Sequence, residues 1–117
     1  MKTITNYIKE QLDNAYDDFV ECIQNYSYLN KKEIDEIIAF IPQSLTKDSI
    51  FMYYDDLSNK MYKYIENENN FDNYKEIDLA DGEKINLYSN NDICYVDQPM
   101  GSIILFNKNF KFKKINK

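Results

Sequence analysis

The chain predicts an α+β fold, with three N-terminal helices packed on one face of a C-terminal antiparallel sheet of four to five strands. Three observations carry that expectation. Apolar residues recur at helical spacing up to residue 66. From residue 74 the apolar period changes to two. Between the first two alternating runs sits Asp81-Gly82, a strong short hairpin signal. One α+β domain is expected over residues 1–117, its helical part at about 3–66 and its β-meander at about 74–115. A chain of this size hides roughly two-thirds of its unfolded surface, and 44% of its residues are apolar.

The first helix is expected from Ile4 to Tyr26. At about 100° per residue, Ile4, Ile8, Leu12, Ala15, Phe19, Cys22, Ile23 and Tyr26 share one arc. The second starts at Asn30, a capping residue with Glu33 three positions on to complete a capping box. Leu29 and Ile34 are spaced as a hydrophobic staple. Ile34, Ile37, Ile38 and Ile41 share its face, and Pro42 stops it near Phe40 or Ile41. A third helix is expected from about Ser49 to Glu66, capped by Asp48 or Thr46. Ile50, Tyr53, Tyr54, Leu57, Met61, Tyr64 and Ile65 would form its apolar arc. The opening Ile50–Tyr54 also has strand propensity, but four turns of helical period outweigh it.

Residues 66–73 read as a loop. Ile77 and Leu79, then Ile85 and Leu87, alternate with polar residues about the Asp81-Gly82 turn. Ser89–Asp92 turns the chain into a strand at Ile93–Val96. Gln98–Gly101 turns it into another at Ile103–Phe106, and a fifth is expected at Phe110–Lys114. The lysines of that last segment suit an edge strand.

Absences bound the chemistry. The chain has no histidine, so no imidazole base, triad or His-ligated metal. Its two glycines, Gly82 and Gly101, fall in turns and write no phosphate-binding loop. Cys22 and Cys94 form no C-x-x-C and read as free, buried thiols. Adjacent carboxylates, as in Asp17-Asp18 and Asp55-Asp56, point about 100° apart on a helix and do not converge on one ion. Asp78, Asp81 and Glu83 cluster around the hairpin, but Asp81-Gly82-Glu83-Lys84 lacks the spacing that places two acidic groups and a lysine on one face of a strand. No enzymatic activity, cofactor or metal is expected. No run of about 18 apolar residues is present, and no signal-type apolar segment follows Met1. The expectation is a protein of the bacterial host cytoplasm with no membrane partner.

Charge is the positive signal. All 14 basic residues are lysines, and residues 1–107 carry a net charge of −11. Such a body repels phosphate backbones, so direct nucleic-acid binding is disfavoured. Glu10, Asp13, Asp17 and Glu21 line one side of the first helix, with Asp18 at its margin. Most acidic helix faces are simply solvated. Like charges four apart nonetheless cost a few tenths of a kcal/mol each, and only Lys9 lies near enough to offset this row. A nucleic-acid mimic would need further acids from Asp55, Asp56, Asp78 and Asp81, because a phosphate strand carries a charge every ~3.4 Å.

The leading expectation is an acidic inhibitor that docks on the basic surface of a nuclease or nucleic-acid-guided complex. In size, charge and composition the chain is similar to phage-encoded anti-restriction and anti-CRISPR proteins as a class. Its 15 asparagines and many lysines and isoleucines fit a low-GC bacterium or its phage. An immunity protein against a basic nuclease toxin would need the same physics. A small metal-dependent enzyme would need carboxylates from distant segments to converge in a pocket; a salt-insensitive adaptor using tyrosine-rich surface is a further alternative, since Tyr7, Tyr28, Tyr62, Tyr74, Tyr88 and Tyr95 have no clear place in the expected core.

Overall fold

The computed structural model describes residues 4–26, 29–80, 82–99 and 101–110, with side chains from residue 14 onward. Its helices are α1 (Ile4–Gln24), α2 (Lys31–Phe40) and α3 (Asn59–Glu66). Its strands are β1 (Ser49–Tyr53), β2 (Asn73–Asp78), β3 (Lys84–Ser89), β4 (Ile93–Asp97) and β5 (Ile103–Asn107), with short 3-10 turns between some elements. They form one antiparallel sheet in the order β1-β5-β4-β3-β2.

The α+β class stands, but the expected arrangement is overturned. The helices do not precede the sheet as a block: β1 lies between α2 and α3. Nor do they share one face. Phe19 and Ile23 of α1, Ile37 of α2, and Leu45 pack with Ile85, Leu87, Cys94, Val96, Ile103 and Leu105. Leu57, Met61, Tyr64 and Ile65, in and before α3, pack with Ile93, Ile104 and Phe106. Alternate residues of β4 and β5 therefore enter two cores, and the sheet is sandwiched. The expected third helix at 49–66 splits into β1, a 3-10 turn at Tyr54–Asp56, and a shorter α3 capped by Ser58. In β1, Phe51 faces α1 and meets Phe19 edge-on at 5.6 Å. Ile50 and Met52 pack on the opposite side. A strand covered on both faces is apolar at every position, so it lacks the alternation that marks a half-buried strand. Asp48, expected as a helix cap, instead turns the chain into β1 with φ +56, a conformation that Asp tolerates better than most residues. The expected fifth strand at Phe110–Lys114 lies mostly outside the described residues. Phe110 is described, and it packs on Tyr64 at 5.0 Å.

Other local expectations hold. Asn30 Oδ1 accepts from the Glu33 backbone at 2.8 Å, and Glu33 Oε1 accepts from the Asn30 backbone at 2.9 Å. The β2–β3 hairpin closes with Ile77 opposite Ile85. Gly82 stands at φ +88, where its lack of Cβ matters. Ala15, Phe19 and Ile23 are buried, but Cys22, expected as a buried thiol, is only half-buried at the margin of the apolar arc, as is Tyr26; Cys94 is buried as expected.

A polar node ties the second core together. Asn90 is buried between β3 and β4. Its Oδ1 accepts from the backbone N–H of Asp92 at 2.8 Å and of Ile93 at 3.0 Å. Its Nδ2 donates to the Tyr64 hydroxyl and to the Asn70 carbonyl, both at 2.8 Å. One side chain thus joins the β3–β4 turn to α3 and to the turn that follows it. Asn90→Ala strands these partners and is expected to cost roughly 2–4 kcal/mol, read as a lowered urea midpoint. Tyr64→Phe should cost about 1 kcal/mol, and the double variant less than the sum.

Cys94 lies in the first core, and burial pushes its thiol up to about 12. In the unfolded chain a thiol ionises at about 8.5. Between those values the native state holds the extra proton, so stability is full at neutral pH and falls as pH rises. Urea titrations from about pH 8 to about pH 11 should show that loss, with up to about 1.4 kcal/mol per pH unit from this group. Cys94→Ala should flatten the profile.

Candidate functional site

The concave surface richest in the expected site residues lies where α1, the end of β1 and the β4–β5 connection meet. Tyr53, the last residue of β1, stands at its centre and is 52% exposed. On one side is a groove of about 590 Å³, walled by Asp18, Glu21 and Cys22 of α1, by Asn25 just past its end, and by Phe51. On the other is a groove of about 470 Å³, walled by Tyr54, Asp55, Asp56, Pro99 and Ser102. Tyr53, Gln98 and Gly101 line both. Strand direction explains the convergence: β1 runs along α1 and delivers Asp55 and Asp56, two and three residues past Tyr53, to the end of the sheet where Asp18 and Glu21 project.

Asp18, Glu21, Asp55 and Asp56 are exposed, and none of them takes part in an ion pair among the described residues. The Tyr53 side chain stands beside Cys22 of α1, and both line the first groove. Its proton is held above the ordinary phenol value, first by the neighbouring Cys22, then by burial, and further by the Asp18 and Asp56 carboxylates. Charges from α1 and from the 3-10 turn therefore act on one hydroxyl. Burial raises the Cys22 thiol, and the neighbouring Tyr53 opposes that rise.

The remaining expected site residues lie elsewhere. Asp17 is exposed on α1 but does not line either groove. Glu10 and Asp13 belong to α1, but their side chains fall outside the described residues, as does Asp81. Asp78 sits on β2 at the far edge of the sheet. There Lys84 approaches it at 4.0 Å and pairs more closely with Glu76. The α1 row and the hairpin acids thus do not form one continuous acidic track among the described residues.

Sequence reasoning missed Tyr53 and Gln98 as groove residues. Tyr53 was assigned to a helical core; reading 49–53 with a period of two would place it on the α1 side with Ser49 and Phe51. It also missed a row of tyrosines across the sheet. Tyr74, Tyr88 and Tyr95 lie side by side on β2, β3 and β4. Tyr88 stacks on Tyr95 at 5.6 Å, Tyr95 on Tyr54 at 5.8 Å, and Tyr54 meets Tyr62 at 4.9 Å. Four of the six tyrosines without a place in the expected core belong to this row; Tyr28 and the side chain of Tyr7 are outside the described residues.

No helix among the described residues is long and apolar enough to cross a membrane. The two cysteines are free. Iodoacetamide should label Cys22 in the folded chain more slowly than a small-molecule thiol, and Cys94 only after unfolding; mass spectrometry of the digested protein reads both. Comparison with protein-family models, with curated proteins and with solved structures found no match.

Proposed function

We propose that the chain is a non-enzymatic acidic inhibitor that lays the Tyr53 grooves against the basic, nucleic-acid-binding surface of a partner protein. The observation that supports this most directly is the convergence of Asp18, Glu21, Asp55 and Asp56 on one half-exposed tyrosine, with no ion pair to neutralise them among the described residues. Carboxylates from separate elements, held together on a rigid sheet end, create a local field that steers a cationic surface into contact. Tyrosine supplies the rigid amphipathic anchor common at interface centres. A nuclease or a nucleic-acid-guided complex offers the matching basic surface. Phage or mobile-element counter-defence against restriction or CRISPR systems is the setting that calls for such a protein.

The tyrosine row favours a second reading, an adaptor that binds through aromatic area. Tyr74 is 55% exposed at its open end. Salt separates the two: a docked acidic groove loses affinity steeply as ionic strength rises, and aromatic contact does not.

Capture from lysate of the native host at low salt should recover a basic partner that about 0.5 M salt releases. Calorimetry on the purified pair should then show the variant Asp18→Asn, Glu21→Gln, Asp55→Asn, Asp56→Asn binding at least about tenfold more weakly, a loss of about 1.4 kcal/mol or more. Asp17→Asn with Asp78→Asn should change little. Unchanged affinity in the fourfold variant, or a partner held equally at high salt, would remove the electrostatic reading.

A further inference from the structure

The two grooves share one residue whose hydrogen bonding is incomplete. Gln98 is 6% exposed. Its Nε2 donates to the Gly101 carbonyl at 2.9 Å, but its Oε1 is buried without a partner. Exchanging the amide oxygen and nitrogen offers no remedy, because an acceptor would then face the Gly101 carbonyl. A buried acceptor lacking a donor is unfavourable and rare in native folds. Here Gln98 lines both grooves, between two pairs of carboxylates that take part in no ion pair among the described residues, and with an exposed aromatic ring in the same walls.

That set of groups specifies its ligand: a cation that also donates hydrogen bonds and presents a flat face. A metal ion does not suit it, since no group of three or more cysteines and carboxylates among the described residues is arranged to hold one. An ammonium supplies charge as a compact, strongly hydrated point. A guanidinium is planar, stacks on aromatic rings, and holds five N–H donors in a fixed fork. Its flat face suits the ring, and its several donors suit a carboxylate and the amide oxygen.

We infer that the Tyr53–Gln98 grooves form an arginine-binding site, taking one arginine side chain of the basic partner. The guanidinium stacks on Tyr53 between the α1 carboxylates and those of the 3-10 turn, and donates to Gln98 Oε1. That oxygen is buried in the free chain, so the side chains that cover it must give way as the guanidinium enters. The inference rests on the proposed docking against a basic protein and names the side chain that anchors it.

The test is a titration of the full chain with acetyl-Gly-Arg-Gly-amide and with its lysine counterpart, followed by ¹⁵N–¹H NMR. The arginine peptide should give saturable shifts centred on Tyr53, Gly101 and the Gln98 side-chain amide, with the lysine peptide at least about threefold weaker. Gln98→Met keeps the length of the side chain and removes the acceptor. It should abolish the preference for arginine while leaving the remaining spectrum native. If that variant fails to fold, Tyr53→Leu decides: arginine binding should fall and lysine binding should not. Equal binding of the two peptides by the unaltered chain, or unsaturable shifts spread over the acidic surface, would overturn the site. The two readings also fail separately. Partner binding lost on neutralising the carboxylates but kept in Gln98→Met and Tyr53→Leu overturns the arginine site alone. Partner binding untouched by neutralisation overturns the docking reading, and the peptide titration still decides the site.

Discussion

Strand β5 is buried on both faces, and that constraint organises the rest of the molecule. Ile103 and Leu105 face α1 and α2, while Ile104 and Phe106 face α3 and its flanking residues. Each such side chain contributes roughly 1.5–3 kcal/mol when fully buried. A strand so placed also needs a hydrogen-bonded neighbour on each side. β4 supplies one from the adjacent sequence, and β1 supplies the other from far upstream. The position of α3 follows, because the chain leaving β1 must cross to the face that Ile104 and Phe106 leave uncovered.

The same geometry places the two surfaces of interest next to each other. β1 ends at Tyr53, which faces α1, and the next residue, Tyr54, joins the tyrosine row on the opposite side of the sheet. Tyr54 also lines the second acidic groove. The carboxylate cluster and the aromatic row therefore meet at consecutive residues. A partner seated on the grooves has polar, charge-steered contact on one side and aromatic area on the other, which resembles the polar rim and aromatic core of ordinary protein interfaces.

Much of the fold was legible where the signal is local. The Asn30–Glu33 capping box, the stop at Pro42 and the turn at Gly82 each depend on a few neighbouring residues, and each is found as read. The strands at 84–89, 93–97 and 103–107 were likewise readable from their turns. Residues 49–53 were not. Their apolar side chains go to two cores, so the pattern that separates strand from helix is absent, and the partner that makes them a strand lies at the other end of the chain. The site suffered from the same error. The acids were visible, but only the true path of β1 shows that Asp18 and Glu21 flank Tyr53 on one side and Asp55 and Asp56 on the other, whereas Asp78 is taken to the opposite edge. Nothing local in the sequence marks Gln98, because its significance is an unpaired atom.

The pairing of β1 with β5 has a kinetic consequence. Every residue of β1 finds its partner at least 50 positions away, the nearest being Tyr53 with Ile103. The ladder β2-β3-β4-β5 joins sequence neighbours and closes short loops, whereas β1 must close a long one, and loop closure is the entropic toll of such contacts. The meander can therefore assemble ahead of β1, and the grooves come into being only when β1 docks. A ligand of the proposed site would bind only the chain in which β1 has docked. It would stabilise that non-local closure by mass action, the more so the further its concentration exceeds its dissociation constant.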